Sequence, residues 1–227
     1  MIDVYCFSGG GHSEEVAVCC AAWLGGQVIP VGAETNCEGE RALFVFPVYC
    51  ERLPPPVAGF LRRAKVKQAA FVATYGGMSF GHVLYDAQRL FAGSVLAGAY
   101  VPTEHSFTRD GFHFDGSALF PVLEKLLSGG GEVFFPKTPG HIFSGFASAW
   151  RSRVGVRLIL KDSCDGCNVC AQACPMQAME KGKANGACIR CLRCLRVCPR
   201  GALSIRLSAV VKRYLSRRRR NDTVVYV

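Results

Sequence analysis

The chain is predicted to be α/β, with a five-stranded parallel sheet doubly wound by helices, followed by a smaller α+β domain built around cysteines. Three observations predict this. Residues 1–127 alternate short apolar runs with helical segments. A cysteine pattern between Cys164 and Cys198 repeats at an offset of 24 residues. Charge divides along the same line: residues 1–150 carry ten Lys/Arg against thirteen Asp/Glu, and residues 151–227 carry seventeen against four. The 227 residues suffice for one large domain or two small ones. A hydrophobic content of 50% with 19% charged residues excludes a disordered or low-complexity chain.

The elements follow in order. Ile2–Phe7 is a short strand that runs into Ser8-Gly9-Gly10-Gly11-His12-Ser13. Ser13 is a candidate helix cap, with Glu14 and Glu15 in a first turn whose dipole favours negative charge. The helix continues through the apolar Val16–Leu24. Gln27–Val31 is a second strand, and Ala42–Val48 reads as a strand buried on both faces. Pro54-Pro55-Pro56 opens a helix over Val57–Ala64. Strands over Gln68–Tyr75 and Ser94–Val101 and helices over Gly81–Ala92 and Ser117–Leu127 complete the alternation. Such alternation implies parallel strands covered on both faces.

No basic segment precedes an apolar run at Met1-Ile2-Asp3, so a secretory leader is not expected. The most apolar stretch, Val16 to Ala33, is broken by Gly25, Gly26 and Pro30, too short for the ~20 apolar residues of a membrane span. Thirteen cysteines, an odd number, argue against a secreted disulfide framework. A cytoplasmic location is expected.

In a doubly wound sheet, ligands bind beyond the carboxyl ends of the strands. Three loops there carry unusual residues. Ser8, Gly9, Gly10, Gly11, His12 and Ser13 combine glycines, hydroxyls and a helix N-terminus, a set suited to a phosphate. Pro47-Val48-Tyr49-Cys50-Glu51-Arg52 and Thr74-Tyr75-Gly76-Gly77 each place an aromatic ring beside flexible backbone. Together the three loops resemble flavodoxin. FSGGGHSEEVA is similar to the strand–loop–helix signature that binds the FMN phosphate, and the other two loops resemble those that flank the isoalloxazine ring. By that resemblance Ser8, Gly9, Gly10, Gly11, His12 and Ser13 hold the phosphate. Pro47, Val48, Tyr49, Cys50, Thr74, Tyr75, Gly76 and Gly77 surround the ring. Gly10 stands where the signature has threonine, and Cys50-Glu51 where related chains often have two glycines.

The cysteine pattern is the strongest signal. Cys164, Cys167, Cys170 and Cys174-Pro175 are followed by Cys188, Cys191, Cys194 and Cys198-Pro199. This is the C-x₂-C-x₂-C-x₃-C-P run of two-cluster bacterial ferredoxins, whose fourth cysteine ligates the other [4Fe-4S] cluster. Cys164, Cys167, Cys170 and Cys198 should therefore hold one cluster, and Cys188, Cys191, Cys194 and Cys174 the other. Two Cys₄ zinc sites are the competing reading, but zinc ribbons space their pairs more widely and lack the third cysteine and the proline. The remaining cysteines have no ligand spacing. Cys6, Cys19 and Cys20 are expected in the core, and Cys50 lies in a predicted flavin loop.

Arg190, Arg193 and Arg196 alternate with the cysteines of the second run, and Arg200 follows Pro199. They favour cluster reduction and make a docking face for an acidic redox partner. Arg217–Arg220 reads as part of a solvated basic tail over 209–227, without the interleaved aromatics of specific nucleic-acid binding. The expected organisation is a flavodoxin-like domain over 1–127, a linker and bridging segment over 128–155 with a short helix at 142–153, a cluster domain over 156–208, and the tail. This order resembles ferredoxins with an N-terminal flavodoxin-like domain, mostly of anaerobic bacteria. That resemblance implies electron transport by two [4Fe-4S] clusters and FMN, an oxidoreductase function in the broad sense with no acid–base pair or nucleophile in evidence. A flavin-free reading stays open, in which the first domain is a docking module for a larger iron–sulfur enzyme.

Overall fold

The structure is a computed structural model that describes residues 1–108, 114–137, 148–217 and 220–227. The chain divides into two units: Met1–Gly140 with Arg220–Val227, and His141–Arg219.

The first unit is a mixed α/β layer structure around a mostly parallel six-stranded sheet. Its strands are β1 (Val4–Cys6), β2 (Val28–Pro30), β3 (Glu38–Pro47), β4 (Lys65–Tyr75), β5 (Ser94–Pro102) and β10 (Val224–Tyr226), in the order β10-β5-β4-β3-β1-β2. The first five are parallel and β10 is antiparallel to β5. The order 2-1-3-4-5, with its direction reversing between β1 and β3, is consistent with a flavodoxin-like fold. Around the sheet lie α1 (His12–Leu24), α2 (Pro55–Arg63), α3 (Val83–Gln88) and α4 (Phe120–Ser128), the last preceded by a 3₁₀ turn over Gly116–Leu119.

Period-two alternation assigns the faces. Tyr5, Phe44 and Phe71 point to one side, where with Phe60 and Phe91 they form a ring cluster with centroids 5.5–5.8 Å apart. Val4, Cys6, Leu43, Val45, Ala70 and Val72 point to the other, against Val16, Ala17, Cys20 and Leu123 of α1 and α4. Both faces are covered, so the central strands read as unbroken apolar runs.

Several expected boundaries shift. β3 begins at Glu38 and β4 at Lys65, earlier than their apolar runs, and along this exposed extension Glu38–Lys65 and Glu40–Lys67 pair across the strands at 3.0 and 2.7 Å. Helix α3 is shorter than expected and starts with the amide of Leu84 donating to the Tyr100 hydroxyl. Ser13 does not cap α1. Gly11 occupies the cap position without a side-chain bond, and the Ser13 hydroxyl pairs with Thr74 instead. Cys6 and Cys20 are buried, but Cys19 is exposed, one position round the helix from Cys20.

The largest difference concerns the basic tail. Residues 209–215 form α8 (Ala209–Leu215), capped by Ser208, and 224–226 return as the sixth strand of the first unit. The Arg220 amide donates to the Gly77 carbonyl at 2.6 Å, and the Tyr75 hydroxyl to the Asp222 carbonyl at 3.0 Å. Part of the expected linker also packs on the sheet unit. Phe135 is buried, and its ring lies where a Cβ at Gly98 would meet it at 2.5 Å. Of the expected bridging helix at 142–153, the structure has α5 (Ser148–Gly155). Residues 138–147 and Arg218-Arg219 of the basic run lie outside the described residues.

The second unit holds two antiparallel pairs: β6 (Val156–Leu160) with β9 (Leu203–Leu207), and β7 (Met179–Glu180) with β8 (Lys183–Ala184). Two four-residue helices, α6 (Val169–Gln172) and α7 (Arg193–Arg196), lie 24 residues apart. Among the described residues, no helix is long and apolar enough to cross a membrane.

Candidate functional site

The 24-residue repeat of the sequence is also a repeat of backbone conformation. Left-handed residues occur in matched pairs: Gly166 with Arg190, Asn168 with Leu192, and Gln177 with Gly201, at φ 74 and 59°, 59 and 62°, and 49 and 55°. The two runs therefore share one loop conformation. The same offset relates two amide–sulfur bonds. Ala178 N–H donates to Cys174 Sγ and Ala202 N–H to Cys198 Sγ, both at 3.3 Å. Each fourth cysteine is thus held in the same way.

The cysteines gather into two pockets of similar size, with about 330 and 340 Å³ of free space that is partly open to solvent. One is lined by Cys188, Cys191 and Cys194 together with Cys174. The other is lined by Cys164, Cys167 and Cys170 together with Cys198. Each pocket takes three cysteines from one run and the fourth from the other. Among the described residues, no group of three or more His, Cys, Asp or Glu side chains forms a site for one metal ion. Four sulfurs spread around a pocket and an amide donor to the fourth form a donor set that fits a [4Fe-4S] cluster.

The two pockets differ in surroundings. Cys188, Cys191 and Cys194 are all buried, whereas Cys167 is exposed and Cys164 and Cys198 are half-buried. Burial pushes the Cys194 thiol up to about 12, with Cys191 and Cys188 adding to it, and raises Cys191 as well. Around the second run, Arg190 Nε donates to the Val156 carbonyl at 2.8 Å, and Arg190 Nη1 is buried with no hydrogen-bond partner among the described residues. Around the first run the charge is different. Asp165 accepts from the Cys167 amide at 3.1 Å and from Arg200 Nε at 3.0 Å. The Arg200 guanidinium, then the Cys167 amide, hold the Asp165 carboxyl below its ordinary value.

In the first unit, the three predicted loops meet at the carboxyl end of the sheet. Ser8 Oγ accepts from the Gly11 amide at 3.1 Å, and Ser13 Oγ lies 2.7 Å from Thr74 Oγ1, joining the first loop to the third. Val48 N–H donates to the Thr74 carbonyl at 2.7 Å, joining the second to the third. Pro47 ends β3. Tyr49 and Arg52 exchange backbone bonds at 3.1 and 3.0 Å around Cys50 and Glu51, whose φ of 51 and 59° make a turn that normally takes asparagine or glycine. The glycines, hydroxyls and helix N-terminus of loop 8–13 are a donor set that fits a phosphate.

A fourth loop joins these three. His12 Nε2 lies 4.0 Å from Glu104 Oε2. A Cβ at Gly10 would be 3.2 Å from Ser106 Oγ, and one at Gly76 would be 2.4 Å from the His105 ring. Glu104-His105-Ser106 follows β5 at a strand carboxyl end, but from sequence His105 reads as an ordinary surface or packing residue. Tyr75, expected beside a ring, is buried, with its hydroxyl on Asp222 and its edge against Phe80. No signal in residues 220–222 marked their return to this end of the sheet.

Residues 158–180 match the family of 4Fe-4S binding domains, a segment that contains Cys164, Cys167, Cys170 and Cys174. Among solved structures, the chain is similar to a protein of Bacteroides eggerthii DSM 20697 provisionally described as a flavoprotein. Sequence identity is 15% and the TM-score 0.38, over 56% of this chain and 97% of that one. No curated protein matches.

Proposed function

We propose that the protein is an electron carrier with two [4Fe-4S] clusters in its second unit and FMN in its first. The observation that carries this reading is the lining of the two pockets, each by three cysteines of one run and the fourth of the other. The clusters supply one-electron exchange, and FMN one- or two-electron exchange.

The protein's own residues bind and orient. Cys164, Cys167, Cys170 and Cys198 hold one cluster, and Cys174, Cys188, Cys191 and Cys194 the other. The amides of Ala178 and Ala202 donate to ligand sulfurs and so favour the more negative state. Ser8, Gly9, Gly10, Gly11, His12 and Ser13 hold the FMN phosphate. Tyr49 and the Thr74–Gly77 backbone hold its ring, with Pro47, Val48 and Cys50 at the rim. The exposed Arg196 and Arg200 offer an acidic redox protein a docking face, in the cytoplasm of an anaerobe.

A flavin-free reading is favoured by one observation: the His105 ring lies against Gly76 and the chain at Arg220 against Gly77, where the ring would rest. In that reading the first unit is a docking module. Anaerobic purification with iron, sulfide, zinc and flavin assays separates the readings. About eight irons with equal sulfide and one FMN per chain are expected for two loaded clusters. Eight irons without FMN select the docking module, and zinc without labile sulfide overturns both.

A further inference from the structure

The two cysteine runs are built alike but not charged alike. Arg190 stands 24 residues after Gly166, and both adopt left-handed backbone, at φ 59 and 74°. Glycine takes that conformation freely, whereas an arginine there is strained. Leu192 takes the left-handed region in the same loop, so the conformation belongs to the repeat and what sets Arg190 apart is its charge. Arg190 lines the pocket of Cys174, Cys188, Cys191 and Cys194. Its Nε is tethered to the Val156 carbonyl, which fixes the plane of the guanidinium. Its Nη1 is buried with no hydrogen-bond partner among the described residues. A buried cationic N–H without an acceptor is costly, and the pocket that Arg190 lines is where an anionic cluster would sit.

We infer that Arg190 is the potential-setting residue of the second cluster: its buried Nη1–H is held for a sulfur of that cluster. This rests on the two-cluster reading. A cluster gains one negative charge when it accepts one electron from a low-potential donor, and a charge-assisted hydrogen bond strengthens with that charge. Deeper burial disfavours the added charge and acts the other way, so on this inference the Arg190 bond outweighs it and gives the second cluster the higher potential. The first, which has Gly166 at the matching position, has the lower. In singly reduced protein the electron rests on the buried second cluster, and the more exposed first cluster exchanges it with partners.

Potentiometric titration of the reconstituted full chain, followed by electron paramagnetic resonance, tests this. Wild-type protein should reduce in two steps, and the signal of the higher step should be the one altered by Cys188→Ser. Arg190→Gly, which relieves the strained backbone, and Arg190→Gln should both move the higher step down towards the lower and leave the lower in place. Arg190→Lys, which keeps the charge and loses the fork, should fall between. Iron-loaded variants with both steps unmoved, or with only the lower step moved, would overturn the inference alone. So would failure of both Arg190→Gly and Arg190→Gln to load the second cluster, which would make Arg190 a folding residue. Wild-type protein without iron and sulfide would overturn the two-cluster reading and the inference with it.

Discussion

The two units are held together by different means. In the sheet unit Phe7, Phe44, Phe46, Phe60 and Phe71 are fully buried, and apolar side chains cover both faces of the strands. In the cysteine unit the buried apolar residues, among those described, are Val156, Ala178, Met179, Leu192, Ala202, Leu203 and Leu215, with the cysteines Cys170, Cys188, Cys191 and Cys194. Those four cysteines are proposed cluster ligands, and the rest includes no aromatic side chain and two alanines, so the apolar core is small without them. A domain this small rarely folds on such a core alone. The sheet unit is stabilised by its own burial, whereas the cysteine unit, on the proposed reading, depends on what its thiolates bind.

The largest expected effect follows directly. Removing iron from the full chain with a chelator under oxidising conditions should unfold the cysteine unit and leave the sheet unit folded. Hydrogen exchange should then lose protection in β6 and β9 and keep it in β3 and β4. Equal loss in both units would erase the distinction drawn between them.

The converse lesion is next in size. Phe71→Ala removes a ring that packs on Phe44, Phe46, Phe91 and Phe135. It should cost the sheet unit about 3–5 kcal/mol in a denaturant titration, with iron content per chain unchanged.

A smaller effect is expected at the strained turn. Replacing Glu51 (φ 59°) with glycine should raise the stability of the sheet unit by about 1 kcal/mol. If Glu51→Gly proves neutral or destabilising, the side chain makes contacts there that outweigh the strain.

The smallest effect belongs to Asp165. Its pKa is lowered in the folded state, so its contribution is present above its unfolded value near 4 and is lost as pH falls through the folded value. Asp165→Asn should therefore lower stability slightly at neutral pH and not at all in strong acid, where the two proteins converge. The carboxyl is solvent-exposed and its pair with Arg200 is screened.

Much of this comparison was legible in the sequence, and the reasons differ by region. The cysteine unit shows in spacing alone, because ligand geometry demands fixed intervals. β6 (Val156–Leu160) and β9 (Leu203–Leu207) flank the repeat at the two ends of the expected 156–208 domain. The sheet unit shows in its apolar runs, because double coverage makes central strands continuous. What stayed hidden depends on distant partners. Ser13 looks like a helix cap, yet a hydroxyl 61 residues away takes its bond. Val224-Val225-Tyr226 is too short to signal a strand and becomes one only because the edge of β5 is there to pair with it. Arg220 belongs by composition to a basic run, but its backbone is tied to Gly77.

The central claim is that each pocket is one cluster site made from both runs, and the crossed fourth cysteine tests it most directly. Electron paramagnetic resonance of reduced Cys164→Ser, Cys188→Ser and Cys198→Ser proteins should show Cys198→Ser altering the same cluster signal as Cys164→Ser and sparing the one altered by Cys188→Ser. A Cys198→Ser spectrum that instead matches Cys188→Ser would contradict the account.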